Sequence, residues 1–149
     1  KCGEHCGMVL ESRTRTGQLG EDFAVTRMED HGHRILERNW RWHRYEIDVI
    51  STLAGQIIFH EVKCRTGCVV PSDSLKTTPQ LPSPGQQQRI VRAAHAYIKQ
   101  NGFRDIDCRF DLWWVMIEPG GLPRVSHLTS AFDGFSRPKP RSTLWCALR

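Results

Sequence analysis

Hydrophobic positions recur along this chain with two different periods, and the switches between them divide it into helices and strands. From about Thr16 to His31 the spacing predicts a helix. Thr16 is a usable N-cap, and Gly32 supplies the left-handed position that ends such a helix. Residues 1–15 show no clear period and read as a tail. Ile35 to Trp42 is strand-like. In Tyr45 to Ser51, Ile47 and Val49 alternate with Glu46 and Asp48. A short turn around Ala54 and Gly55 leads into Gln56 to Lys63, rich in the β-branched and aromatic residues that strands prefer. Thr66 to Pro84, with its prolines, serines and threonines, reads as a long loop. A second helix follows from Ser83 as N-cap and Pro84 as first helical residue to Asn101, with Ile90, Ala94, Tyr97 and Ile98 as its apolar stripe. Cys108 to Ile117 is apolar enough for a strand buried on both faces, and Arg124 to Leu128 a short strand after the turn at Pro119 to Gly121. The order αβββαββ predicts an α/β domain over residues 16–135, a mixed central sheet flanked by helices, with a basic, proline-containing tail at 136–149.

Composition narrows this picture only a little. The 149 residues suit one domain, and the formal charge of +5 favours a polyanionic partner. No apolar run approaches the roughly 20 residues of a membrane helix, the longest being Leu112 to Ile117. The expectation is a soluble cytoplasmic protein without membrane partners. Cys2 and Cys6 are spaced CxxxC, as are Cys64 and Cys68; structural zinc favours CxxC pairs, so these read as reduced thiols.

Acidic residues carry the chemistry. Glu21 lies within about 60° of Ala24, Val25 and Met28 on the first helix, which sets a carboxylate in an apolar stripe. Alone it reads rather as a solvent-facing complement to the helix dipole. In strands, residues two apart share a face, so Glu61 and Lys63 do. If the two strands pair around Ala54 and Gly55, Asp48 falls opposite Glu61 or one step away. Like charges so placed destabilise a sheet, and the pattern calls for a cation. Carboxylate oxygens suit Mg²⁺ or Mn²⁺, and such an ion activates water and stabilises charge on a phosphodiester. By spacing alone, a surface strand whose acids pair with Lys63 and nearby arginines weighs equally.

The segments GQLGEDFAVTRMEDHGHRILERNWRW, YEIDVI, IFHEVKCRTG and RFDLWWV resemble the YraN family of nuclease-like proteins. A helix-one acid followed by D…ExK is also similar to archaeal Holliday junction resolvases and the wider PD-(D/E)xK nucleases. The likeness runs from about Arg15 to Phe132. It implies a restriction-endonuclease-like core, Asp48, Glu61 and Glu21 as metal ligands, and Lys63 as the motif lysine, together a catalytic set. Three positions depart from the pattern: Tyr45 stands where Gly is usual, Gln86 where a Lys opens the second helix, and His60 where the residue is usually apolar.

Arg34, Arg38, Arg41 and Arg44 interleave with Trp40 and Trp42. Read as a strand, Arg38, Trp40, Trp42 and Arg44 share one face. The tryptophans read as packing residues, and Arg38, Arg41, Arg44 and Arg65 as phosphate partners, with Gln86 as a nucleic-acid contact at the second helix. No HxxxH or HExxH spacing supports a histidine metal site, and Asp111 reads as a buried structural acid bonded to Arg109 or backbone. The reading is a Mg²⁺- or Mn²⁺-dependent phosphodiesterase acting on DNA, branched or structured DNA in particular, with a homodimer left open. The alternative is a nucleic-acid-binding protein that keeps a nuclease fold without turnover.

Overall fold

The computed structural model describes residues 5–67 and 80–134, with side chains from residue 15 onward in the first segment. The elements are α1 (His5–Asp30), β1 (Arg34–Trp42), β2 (Tyr45–Leu53), β3 (Gln56–Thr66), α2 (Pro84–Gln100), β4 (Cys108–Ile117) and β5 (Arg124–Phe132). They form one five-stranded sheet in the order β1-β2-β3-β4-β5. This is the expected αβββαββ arrangement, an α/β mixed sheet flanked by two helices and consistent with a restriction-endonuclease-like fold.

Local chemistry explains the connections. Ala54 and Gly55 both have positive φ, 50° and 80°, which matches the right-handed strand twist in a two-residue hairpin. A hairpin cannot join parallel strands, so β3 reaches its parallel neighbour β4 through the α2 crossover. Ser83 caps α2 by accepting from Gln86 N–H, and Pro84 follows at a position where a missing N–H costs nothing.

Each helix buries its stripe on a separate core. Ile90, Ala93, Ala94 and Tyr97 of α2 pack on Tyr45, Ile47, Ile50, Ile57, Phe59 and Phe110. Ala24, Val25 and Met28 of α1 pack on Val49, Trp113 and Val115, with Val62 and Cys64 beside them. Phe59 and Val62 thus serve opposite cores, as odd and even residues of a strand must. None of the described helices is long and apolar enough to cross a membrane.

Three boundaries differ from the pattern. α1 begins at His5 rather than Thr16. Residues 8–15 include Met, Leu, Glu and Arg, which sustain a helix by propensity without any amphipathic period to announce it. β5 runs to Phe132, because the ladder slips by two residues between Leu112↔Leu128 and Phe110↔Phe132 and resumes past Ser130, whose φ is 50°. β3 extends to Thr66 in register with Ile117. Most of the proposed 66–84 loop and the 136–149 tail lie outside the described residues, as do Cys2 and Cys68.

Gly20 sets how closely α1 lies on the sheet. A Cβ there would stand 2.5 Å from Cys64 Cβ and 2.6 Å from Cys64 Sγ. Gly20→Ala should therefore lower stability by about 1–3 kcal/mol, the usual cost of overpacking. Chemical denaturation checks this; unchanged stability would contradict the close approach of α1 to β3.

Candidate active site

The β2–β3 ladder runs from Leu53↔Gln56 to Val49↔His60 and stops there. β1 stays paired with β2 as far as Trp42↔Tyr45, and β4 stays with β3 as far as Thr66↔Ile117. The sheet therefore forks between β2 and β3, beside the carboxyl-terminal half of the parallel pair, the place where open α/β sheets hold ligands. Asp48 is the first residue past the fork, and one more step of the same register would face it with Glu61. Instead, its Oδ2 accepts the Val62 N–H at 2.7 Å, so a side chain closes the gap that the ladder leaves.

Glu61 is nearly enclosed, at 6% exposure. Its Oε1 accepts from Lys63 Nζ and, at 2.6 Å, from Gln86 Nε2. Lys63 reaches it as a same-face neighbour two residues along β3, and Gln86 reaches it from the first turn of α2. Gln86 thus sits directly on the acidic cluster.

Glu21 arrives from the other helix, one residue after Gly20. Its Oε2 is buried and has no hydrogen-bond partner. Burial pushes the Glu21 carboxyl up, while a hydrogen bond from the Asn39 side chain and the Arg38 charge act against the rise. Asn39 lies within β1 yet has φ 49°. Asn tolerates this left-handed conformation better than most residues do, because its short amide bonds locally. The twist also separates Arg38, which reaches Asp22 of α1, from Trp40, which packs edge-on against Tyr97 on the opposite core. The expectation that Arg38 and Trp40 share a face fails for this reason. Asn39 itself escaped the sequence reading, although an Asn amid strand formers is a usable signal.

Glu21, Val62, Lys63, Cys64 and Arg65, with Thr16 and Gly17, line a cleft of about 710 Å³. Asp48 feels the whole cluster. Burial, then the Glu61 charge, then that of Glu21 push its carboxyl up to about 7, against the Val62 N–H and Lys63, which lower it. The donors are of the chemical kind a divalent cation takes. Glu21 Oε2 lacks any partner, Asp48 has used one oxygen on Val62, and hard cations take carboxylate oxygens.

Among the described residues, the metal-capable side chains whose ligand atoms already lie together are elsewhere: His60, Asp111 and His127 bring them within 4.8 Å of one another. Its donors are committed. Trp113 Nε1 can only donate, so His60 Nδ1 accepts at 3.0 Å, and His60 Nε2 must carry the proton given to Ser51 Oγ at 2.7 Å. Ser51 Oγ in turn shares a hydrogen bond of 2.9 Å with His33 Nδ1. Asp111 accepts from Arg109 Nε, His127 Nε2 and Ser130 N–H, each through an oxygen already hydrogen-bonded. Burial drives the His60 pKa down to about 3, which keeps the ring neutral. This is a structural network, and Asp111 is the buried structural acid that its sequence context suggests.

The arginines divide into two sets. Arg38 pairs with Asp22 at 2.5 Å and Arg41 with Glu46 at 3.2 Å. Arg65 lies over the Trp114 ring at 5.8 Å, and Arg44 over the Tyr45 ring at 5.4 Å. Arg44 shares a pocket with Arg89 and Arg92, two residues that sequence reasoning passed over. Trp42 stacks on Tyr45 at 5.9 Å, so both tryptophans of β1 pack on the α2 side as expected.

Comparison with known proteins gives relatives over most of the chain and stops short of an activity. The sequence model of the uncharacterised protein family UPF0102 matches residues 20–115, from the Gly20 contact to Val115 near the end of β4. A UPF0102 protein of Nitratidesulfovibrio vulgaris strain DP4 is 39% identical over 127 residues, covering 84% of this chain and 89% of its own. One from Pelobacter propionicus is 34% identical over 121 residues, covering 79% and 82%. Another, from Caldanaerobacter subterraneus subsp. tengcongensis, is 33% identical over 129 residues, covering 84% and 100%.

The Asp48 environment has a consequence for stability. Its carboxyl titrates ordinarily at 3.8 and in the folded protein at about 7, so folding binds a proton between these values. That contribution is full below pH 4 and is lost as pH rises through 7. The buried, neutral His33 and His60 act in the opposite sense, so the informative quantity is the difference made by Asp48→Asn. In divalent-free buffer the variant should gain on the parent from pH 4 to pH 8, reaching roughly 1–4 kcal/mol at about 1.4 kcal/mol per unit of pKa. Urea unfolding across that range measures it. A difference that stays flat with pH would contradict the placement of Asp48 among acids.

Proposed function

The chain belongs to protein family UPF0102, and on that premise we propose that it is a Mg²⁺- or Mn²⁺-dependent phosphodiesterase acting on DNA, structured or branched DNA above all. One observation carries the reading. A carboxylate oxygen of Glu21 is buried without a partner, beside an Asp48 whose ionisation Glu61 and Glu21 both oppose. Burying carboxylates that oppose one another's ionisation is costly unless a cation accompanies them.

Asp48, Glu61 and Glu21 are the residues that would hold the ion. When bound, a divalent cation supplies Lewis-acid activation of water and neutralises charge on the phosphate. The remaining work falls to side chains. Lys63, held on Glu61, orients a water by hydrogen bonding and offsets charge developing on a phosphate oxygen. Gln86 fixes Glu61 from the α2 side without adding charge, and Asn39 steadies Glu21 from β1. The net charge of +5 draws a polyanionic strand to the protein.

A second reading, binding without turnover, draws on the same Glu61. One of its oxygens is already occupied by Lys63 and Gln86, which stabilises the site with no ion present. The two readings separate on a panel of linear, single-stranded, flapped and four-way DNAs incubated with Mg²⁺, Mn²⁺ or EDTA. The nuclease reading expects cleavage with either ion and none in EDTA. Asp48→Asn should reduce cleavage at least about a hundredfold and leave DNA affinity equal or higher, because the shape is kept while the charge that holds the ion and repels phosphate is gone. A parent that binds these DNAs and cleaves none of them is the binding protein. Cleavage that persists in the variant places the chemistry elsewhere.

A further inference from the structure

Between the β1–β2 turn and the first turns of α2 lies a cavity of about 460 Å³, lined by Arg44, Tyr45, Gly85, Gln88, Arg89 and Arg92. It holds three guanidinium groups and no carboxylate. Among the described residues, none of these arginines forms an ion pair, whereas Arg38 and Arg41 on neighbouring β1 are both matched by acids. Arg44 and Arg92 converge on one atom, each donating to the Tyr45 hydroxyl at 3.3 Å. Together they push the Tyr45 pKa down, which registers how positive the pocket is. Arg89 stands one turn before Arg92 on the same side of α2.

The geometry is fixed as well as charged. Tyr45 is 9% exposed, and its ring is stacked on Trp42, so the hydroxyl that gathers the two arginines cannot wander. Gly85 stands in the first turn of α2, where backbone N–H groups carry the positive end of the helix dipole. A Cβ at Gly85 would meet nothing within 4 Å, which leaves that backbone open to a ligand. Like charges collected this way repel one another and need an anion. Planar guanidinium forks suit the oxygens of a phosphate.

Position ties the pocket to the acidic site. Tyr45 lies three residues before Asp48 on β2, about 10 Å along the strand. Gly85 immediately precedes Gln86, whose amide holds Glu61. We propose that the Arg44–Arg89–Arg92 pocket binds a phosphate group of a nucleic-acid strand, next along the backbone from a phosphate at the carboxylates. It rests on the proposed function only in taking the ligand to be a nucleic acid. The shared chemistry is phosphate, supplied either by a strand's 5′ terminus or by an internal linkage.

The test is binding in EDTA, which removes cleavage from the measurement. A short deoxythymidine oligomer, with and without a 5′ phosphate, is titrated against the parent, Arg89→Ala/Arg92→Ala, and the control Arg34→Ala/Arg104→Ala, which removes the same charge at exposed positions away from the pocket. The pocket variant should bind about tenfold or more weakly than the control, and the slope of log affinity against log salt should flatten by about two. Loss confined to the phosphorylated oligomer assigns the pocket to a terminal phosphate; equal loss with both assigns it to an internal one. A pocket variant indistinguishable from the control overturns the proposal, as does a parent that fails to bind either oligomer at low salt. Should the double variant unfold, Arg89→Glu serves instead, because Arg89 has no hydrogen-bond or ion-pair partner among the described residues. Failure here leaves the metal-dependent reading standing, and failure of cleavage leaves this one standing.

Discussion

A single carboxylate does the work of a missing stretch of ladder. Past Val49↔His60, β2 and β3 separate, and Asp48 takes the Val62 N–H that would otherwise be left without a partner. Had pairing continued, Asp48 and Glu61 would be direct cross-strand neighbours, two negative charges set opposite one another. The fork relieves that arrangement, and a cleft between α1 and the outer half of β3 lies beside it. The proposed metal site depends on it, since Glu61 meets Gln86 of α2 there while Lys63 lines the same cleft as Glu21 of α1.

Those helices contribute unequally and for different reasons. α1 comes close because Gly20 lies directly against Cys64, and this delivers Glu21 with one oxygen unmatched. α2 delivers Gln86 through a capped first turn, so the amide that holds Glu61 is anchored to Ser83 and the backbone. Behind the fork, the Trp113–His60–Ser51–His33 chain of hydrogen bonds runs from β4 across β3 and β2 to the start of β1. It secures His60, the last residue of β3 still paired with β2. A buried polar chain with every member satisfied makes strand positions specific as well as stable. His60, which departs from an otherwise apolar pattern, therefore belongs to the scaffold of the site.

Much of this was legible in the sequence because period and spacing are local properties. The alternation around Ile47, Asp48 and Val49, the Ala54-Gly55 turn, and the two-residue step from Glu61 to Lys63 fix faces and approximate register without reference to the rest of the chain. Hidden features were those where local rules are broken by distant partners. The left-handed Asn39 turns Arg38 away from Trp40, and the slip at Ser130 is held by Asp111, nineteen residues away. Arg89 and Arg92 read in isolation as a solvated helix face. Only the arrival of Arg44 and Tyr45 from a different hairpin turns them into a pocket. The start of α1 carried no period at all, so nothing in the pattern could mark it.

The central claim is that a divalent cation belongs at the fork. Anomalous scattering from crystals soaked in Mn²⁺ tests it most directly, because it locates the ion without requiring a substrate. The account predicts a peak about 2.0–2.6 Å from carboxylate oxygens of Asp48 and Glu61, with Glu21 close enough to complete the shell directly or through water. A peak among His60, Asp111 and His127, or none at ion concentrations well above millimolar, would contradict it.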